Sequence, residues 1–298
     1  MFTVPVRPEL PPDQCAVGQL GLRFEDVSQD GRIMLRGLPH GLGEVLWRTV
    51  LAHHAIYHGL LADGVLPILS RLVIESLQSP ISIAKPVEGS AGFQLAHTVD
   101  VNGAVDRLLL NLWLDVHGVC GMTYGPPPDG AGARLHVGRV FAEHVFTRLF
   151  APPGERKVLR FEGHGLPPVP EARHEWRAAA ELLVLPEGAH WLDDMLMLDA
   201  APVVFGLGQT DSNQHVNSLV YPELFERAAL RRFAALGQST VMLPRFVELV
   251  FRKPSFAGET VNLASRAFEH GTRLGIAGVL MAEGEPKPRV AVQMLFNR

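Results

Sequence analysis

A chain of 298 residues, 47% hydrophobic and 19% charged, has apolar material enough for two ordinary domains or one large one, which excludes a disordered polypeptide. Its 27 basic and 31 acidic residues give a formal charge of −4 with no Lys/Arg block, which argues against a nucleic-acid partner and favours small or carrier-bound substrates. Cys15 and Cys120 stand alone, without CxxC or Cys/His spacing, so neither a disulfide framework nor a zinc site is indicated and a reducing compartment is expected. The opening residues, MFTVPVRPELPPD, lack a basic stretch followed by an apolar one. No apolar run reaches the roughly 18 residues of a spanning helix. The expectation is a cytoplasmic protein with no membrane partner.

In chain order, LGLRFEDV and GRIMLRG read as strands around a Ser28–Gly31 turn, and Glu44 to Ala62 reads as one long helix. Val45, Leu46, Val50, Leu51, Ile56, Leu60 and Leu61 cover more than one stripe of that helix, the pattern of a helix wrapped by other structure. Four strands are expected next: LSRLVIESL, GFQLAHTVDV, DRLLLNLWLDV and, beyond the loop GPPPDGAGA, RLHVGRVFAEHVF. The Pro/Gly-rich stretch Ala151 to Arg173 reads as the connection between two domains, 1–160 and 161–298, although KVLRFEG within it has a strand pattern. After WRAAAELLVL, HWLDDMLMLDA and VVFGL comes a polar stretch, TDSNQHVNSLVY. A helix over Pro222 to Leu236 follows, with Phe225, Ala229, Phe233 and Leu236 as its apolar row and Gly237 as its stop. Four more strands close the chain: RFVELVFRK, TVNLASRAF, RLGIAGVLM and RVAVQMLF. Aligning His215 with His40, an offset of 175 residues (215 less 40), brings the two helix starts together, so one plan is used twice at the level of pattern.

The stretch Thr210 to Tyr221 is where chemistry is expected. It sets Asp211, Asn213 and His215 in a loop that runs into a helix, whose unpaired N–H groups and dipole favour negative charge nearby. Hydrolysis at a carbonyl needs an activated water or an attacking carboxylate, and donors where charge develops on the oxygen. Such a loop can supply both. The bland alternative is an ordinary capped helix start, since Asn217 or Ser218 suits an N-cap and Asp and Asn are common in turns.

Asp211, Asn213, His215, Val216, Asn217 and Tyr221 match six of the seven defined positions of DxNxHVNNxxY, and the chain here resembles the hotdog-fold acyl-ACP and acyl-CoA thioesterases. Ser218 departs from the pattern, which has a second Asn. Glu226 follows Tyr221 by five residues, as a helical Glu does in that family, and FRKPSFAGETV, Phe251 to Val261, is similar to its strand-turn-strand connection. The resemblance implies an α+β double hotdog: two antiparallel sheets, each wrapped around a long central helix, fused as a pseudo-dimer. It implies Asp211, Asn213 and His215 as catalytic residues, with Asn217, Tyr221 and Glu226 in support. The implied reaction is hydrolysis of an acyl thioester of fatty or polyketide type. No cofactor is implied beyond the coenzyme A or phosphopantetheine arm of the substrate, and no metal. An acyl carrier protein is an allowed partner and a homodimer an allowed state.

His40, in LPHGLGE, sits at the matching helix start of the first half. Arg36 and Leu38 stand where Asp211 and Asn213 do, so the first site reads as degenerate with His40 its one contribution. His53, His54 and His58 lack a carboxylate or cysteine at metal spacing and read as buried or rim histidines. Arg252 and Lys253 could meet a cofactor phosphate, or be solvated strand-end cations. Two other readings stay open. One is a double-hotdog dehydratase pairing His40 with Asp211; its HxxxGxxxxP pattern also matches His117, Gly121 and Pro126, but there it follows a strand and precedes a loop. The other is an acyltransferase-like or non-hydrolytic acyl-binding protein.

Overall fold

The computed structural model describes residues 2–297. The chain forms two compact units, Val4–Trp176 and Arg177–Arg298 with Met1–Thr3.

The first unit is an antiparallel sheet of β1 (Cys15–Leu20), β2 (Val65–Ser76), β3 (Val87–Val99), β4 (Val105–Val119) and β5 (Arg134–Arg148), in the order β1-β3-β4-β5-β2. The register Phe93↔Leu112↔Ala142 runs through its middle, where Leu, Val and Phe side chains favour the pleated, half-buried surface. β4 is buried continuously from Leu108 to Leu114, as expected of a strand covered on both faces. The four long strands expected in this half are all present. LGLRFEDV and GRIMLRG are not strands: Phe24–Asp26 and Leu35–Gly37 are 3-10 turns joined by a single bridge, Val27↔Ile33, and the edge strand is β1 just before them.

The long helix expected over Glu44 to Ala62 is broken into three. Leu42–Trp47 is a π-helical turn, Leu51–His53 a 3-10 turn, and only α1 (Ala55–Ala62) is α-helical. The interruption has local causes. The Thr49 hydroxyl bonds back to the Val45 carbonyl, and His54 adopts an extended backbone (φ −89, ψ 148) from which its Nδ1 accepts the Ile56 N–H at 3.1 Å as a cap. Val45, Leu46, Leu51, Ile56 and Leu60 are nonetheless buried, so the apolar pattern reports burial correctly although the helix is discontinuous. The picture of each sheet wrapped around one long helix therefore fails for this unit.

The division between units falls at Trp176/Arg177 and not at 160/161. The stretch read as a connection is held to the first unit by backbone bonds, His97 N–H to Ala172 O at 2.8 Å and His174 N–H to His97 O at 2.9 Å, and by Arg107 over the Trp176 ring at 4.1 Å. At the other end of the chain, Phe2 belongs with the second unit, its ring 5.5 Å from Phe246 and 5.8 Å from Phe268.

His144, on β5, is buried with its ring 5.8 Å from Trp47, and burial pushes its pKa down to about 4. Between pH 6.5 and about 4 the unfolded chain takes up a proton that the folded chain does not, so stability falls as pH falls through that window and this group adds no further loss below it. Urea midpoints measured across pH 4–7 should show that slope, and His144→Phe should flatten it.

The second unit has β6 (Ala189–Trp191), β7 (Met197–Leu198) and β8 (Val203–Val204) as short pieces along one edge, then α2 (Val220–Ala235), then β9 (Pro244–Phe251), β10 (Thr260–His270), β11 (Arg273–Ala282) and β12 (Val290–Phe296). Its long strands pair in the order β9-β12-β11-β10, with the short pieces on β10. This is the order of β2-β5-β4-β3 in the first unit, so the repeated plan is real at the level of strand topology. The 16-residue α2 packs on the sheet through Phe225, Ala228, Ala229 and Phe233, all buried. Gly278 on β11 makes room for it: a Cβ there would lie 3.3 Å from the Phe225 ring and 2.9 Å from the Ala264 carbonyl oxygen.

α2 ends where the sequence expects. Gly237 takes φ 69, its N–H donates to Ala234 O at 3.0 Å and the Gln238 N–H to Phe233 O at 2.9 Å, the paired bonds of a Schellman stop. Gly237→Ala should cost about 1 kcal/mol, read as a lower urea midpoint at unchanged slope. Among the described residues no helix is long and apolar enough to cross a membrane.

Candidate functional site

Thr210 to Val216 forms a tight hairpin immediately before α2. Thr210 and Val216 make an antiparallel bridge, the Asp211 N–H donates to His215 O at 3.1 Å, and the Gln214 N–H donates to Asp211 O at 2.9 Å. Closing this turn places Gln214 at φ 65, a left-handed conformation that a residue with a Cβ adopts at a cost of about 1 kcal/mol. The loop is thus held in shape from outside. The Val216 N–H donates to Ser255 O at 2.8 Å and the Asn217 N–H to Gln209 O at 2.9 Å.

Asp211 is half-buried, and each of its carboxylate oxygens accepts one hydrogen bond: Oδ1 from the Asn213 N–H at 2.9 Å and Oδ2 from Asn217 Nδ2 at 3.1 Å. Asn217 is the hinge between loop and helix. While its amide holds Asp211, its Oδ1 accepts the Leu219 N–H at 2.9 Å and its carbonyl the Val220 N–H at 3.0 Å, satisfying donors at the start of α2. Asn213 is exposed and His215 half-buried, with His215 Nδ1 3.4 Å from Val216 O, too long for a strong bond. Among the described residues, neither the Asn213 side-chain amide nor His215 Nε2 has a protein partner. The three residues thus divide into an oriented carboxylate and two polar groups free to meet a ligand.

Tyr221 is 2% exposed, its ring between Phe205 at 6.2 Å and Phe251 at 5.6 Å, and burial raises its pKa against a partial offset from hydrogen bonding to Ser255. It is a pillar beneath the loop and out of reach of a ligand. Glu226 is half-buried on α2. Arg252 is exposed just past β9, and Lys253 is paired with Glu285 at 2.7 Å.

His40 lies exposed in the first unit, beside Asp26, with no Asp–Asn pair of the kind around Asp211. His53 and His58 are exposed, and His54 is the α1 cap against the Phe93 ring. His117 is stacked on His136 with ring centroids 4.7 Å apart on β4 and β5. Among the described residues no group of three His, Cys, Asp or Glu side chains is arranged to hold a metal ion.

An oleoyl thioesterase from Lactobacillus plantarum matches this structure with a TM-score of 0.63 at 13% sequence identity, over 95% of this chain and 96% of that one. An acyl-ACP thioesterase from Bacteroides thetaiotaomicron gives 0.59 at 15% identity over 96% and 98%, and the 12:0-ACP thioesterase from Umbellularia californica 0.58 at 11% over 95% and 94%. The chain has the fold of the acyl-ACP thioesterases. No family model matches the sequence, and no curated protein does either. At these identities the likeness is one of fold, so residue roles rest on the geometry above.

That geometry includes one residue of this thioesterase fold that the sequence reading passed over. Arg289 is 6% exposed, and its guanidinium joins Glu259, Glu285 (2.9 and 3.1 Å) and Pro254 O (3.3 Å). Both carboxylates are held below their usual range by it, Glu285 down to about 2. The effect is to pin the Lys253–Glu259 turn, whose Ser255 carbonyl in turn holds Val216 and the site loop. The available signal was an Arg as the one charged residue at the head of a mostly apolar strand, RVAVQMLF, with Glu259 and Glu285 nearby in the chain's turns.

Proposed function

We propose that this protein hydrolyses acyl thioesters at the Thr210–Tyr221 loop, with Asp211, Asn213 and His215 as the catalytic residues. The observation that carries the reading is the oriented Asp211 carboxylate in one hairpin with Asn213 and His215, on a chain whose fold matches thioesterases along nearly all its length. Asp211 is held by two donors yet keeps lone pairs for a water, which suits general-base activation better than direct attack. In this reading the Asn213 amide and His215 orient that water and donate to the developing oxyanion, with the start of α2 adding positive potential. Water adds to the thioester carbonyl as its proton passes to the Asp211 carboxylate; the C–S bond then breaks, and that proton goes on to the leaving sulfur, giving acid and thiol with the base restored.

The double-hotdog arrangement is part of the same proposal. It is supported by the equal strand order in the two units and by α2 packed on the second sheet. A coenzyme A or phosphopantetheine arm would be the leaving thiol, and exposed Arg252 is free to meet its phosphate. An acyl carrier protein is the partner suggested by what two of the structural neighbours act on. Asn217, Tyr221 and Glu226 support the loop in this reading, and His40 has no role that the structure supplies.

The test is thiol release from a panel of acyl-CoA and acyl-carrier thioesters, with product masses recorded. Release of thiol and free acid is expected. Loss of water from 3-hydroxyacyl thioesters without thiol release would replace hydrolysis with dehydration, and binding without either product would leave an acyl-binding protein.

A further inference from the structure

The first unit contains a cavity of about 370 Å³ that the hydrolysis reading does not use, where the end of α1 meets the starts and ends of β2 and β5. Leu60, Val158 and Phe161, all buried, supply apolar lining. Arg148 and Arg160 line the same cavity, and among the described residues neither has a carboxylate partner. Other arginines are paired, as with Arg139 and Glu75, Arg231 and Asp199, or Arg232 and Asp193.

The wall is completed by His164, which is placed with some cost. Gly163, His164 and Gly165 take φ values of 77, 56 and 71, so a residue with a Cβ is held left-handed between two glycines. Its ring lies against Gly59 of α1, where a Cβ would come 2.5 Å from the imidazole, and its Nε2 meets Asp63 Oδ2 at 2.7 Å. Asp63 is thereby occupied by the imidazole, which leaves Glu162 as the acidic lining residue with no pairing on the cavity wall, against the two arginines.

We propose that this cavity binds a small amphiphile: an oxyanion head, carboxylate or phosphate, on an aliphatic body. Guanidinium forks match either oxyanion bidentately, and the apolar lining takes the body, which a bare anion would leave unfilled. The volume lies within the range of small-molecule sites. His164 is then a wall that reports occupancy. The inference is independent of hydrolysis at Asp211.

Calorimetric titration of the full chain with octanoate and with octyl phosphate tests it, with octanol and inorganic phosphate as probes of body and head alone. At least one amphiphile should bind, and octanol and inorganic phosphate should each bind about tenfold or more weaker. The double variant R148Q/R160Q should weaken binding of the amphiphile by about tenfold or more, and R160Q alone, at an exposed position, by a smaller factor without loss of fold. The His164 ring resonances should shift on binding in wild type and in Asp211→Ala alike. Which amphiphile binds tighter distinguishes carboxylate from phosphate. Binding of neither at about 1 mM, or full affinity in R148Q/R160Q, overturns the proposal.

Discussion

Replacing Asp211 with alanine is expected to reduce thioester hydrolysis by about 10²–10⁴-fold while leaving thermal stability close to wild type, because a positioned acid–base group contributes on that order. The reason for expecting a clean separation lies in the contacts. Asp211 accepts from the Asn213 N–H and from Asn217 Nδ2 in a half-exposed loop, where water can replace a lost acceptor. The loop's shape rests elsewhere, on the Val216–Ser255 and Asn217–Gln209 backbone bonds, which the substitution leaves in place. Asn217 keeps its cap on Leu219 as well. Thiol release and a melting curve on the same preparation check this. Turnover within about twofold of wild type would remove Asp211 from the chemistry.

Arg289→Gln should destabilise the second unit by about 2 kcal/mol and also slow hydrolysis, although Arg289 belongs to the support of the site and not to its chemistry. Removing a nearly buried guanidinium leaves Glu259 without its cationic partner and Glu285 with Lys253 alone. The figure is set toward the lower end for such losses because Glu259 and Glu285 are partly solvated. Arg289→Lys should recover little, since an ammonium cannot reproduce a fork that reaches two carboxylates and the Pro254 carbonyl together. The pH dependence follows from the same contacts. Folded-state pKa values of Glu259 and Glu285 lie below their unfolded values, so this stabilisation is present above about pH 4.5 and is lost as pH falls toward 2. Arg289→Gln should reduce that acid-side slope, with Lys253 at Glu285 and the Phe256 N–H at Glu259 retaining part of it. A variant with unchanged activity would show that the Lys253–Glu259 turn does not govern the loop.

The eight long strands were legible because long alternating or continuous apolar runs bounded by Gly and Pro leave little else to form: DRLLLNLWLDV and TVNLASRAF are strands where expected, whereas edge strand β1 was not foreseen. α2 was legible for a similar reason, an apolar row with a left-handed glycine stop. The broken helix of the first unit was not, since its apolar positions are buried just as a continuous helix would bury them. What differs is a Thr49 hydroxyl bonding backward and a histidine cap at position 54, neither of which the apolar period reports. At the site, the D-x-N-x-H spacing located the loop and its junction with α2. Its division of labour was hidden, because that depends on Asn217 turning toward Asp211 and on a turn anchored by an arginine 78 positions after Asp211. Tyr221 was expected in a supporting role from the motif, and the structure packs it between Phe205 and Phe251.

The most direct test of the central claim is hydrolysis in ¹⁸O-labelled water under single-turnover conditions, using a thioester that the panel shows to be cleaved, with wild type and Asp211→Ala side by side. One labelled oxygen should appear in the released acid, in step with thiol, and both should fall together in the variant. Labelled acid formed at the same rate by Asp211→Ala, or a first-turnover acid carrying no label, would contradict water activation by Asp211.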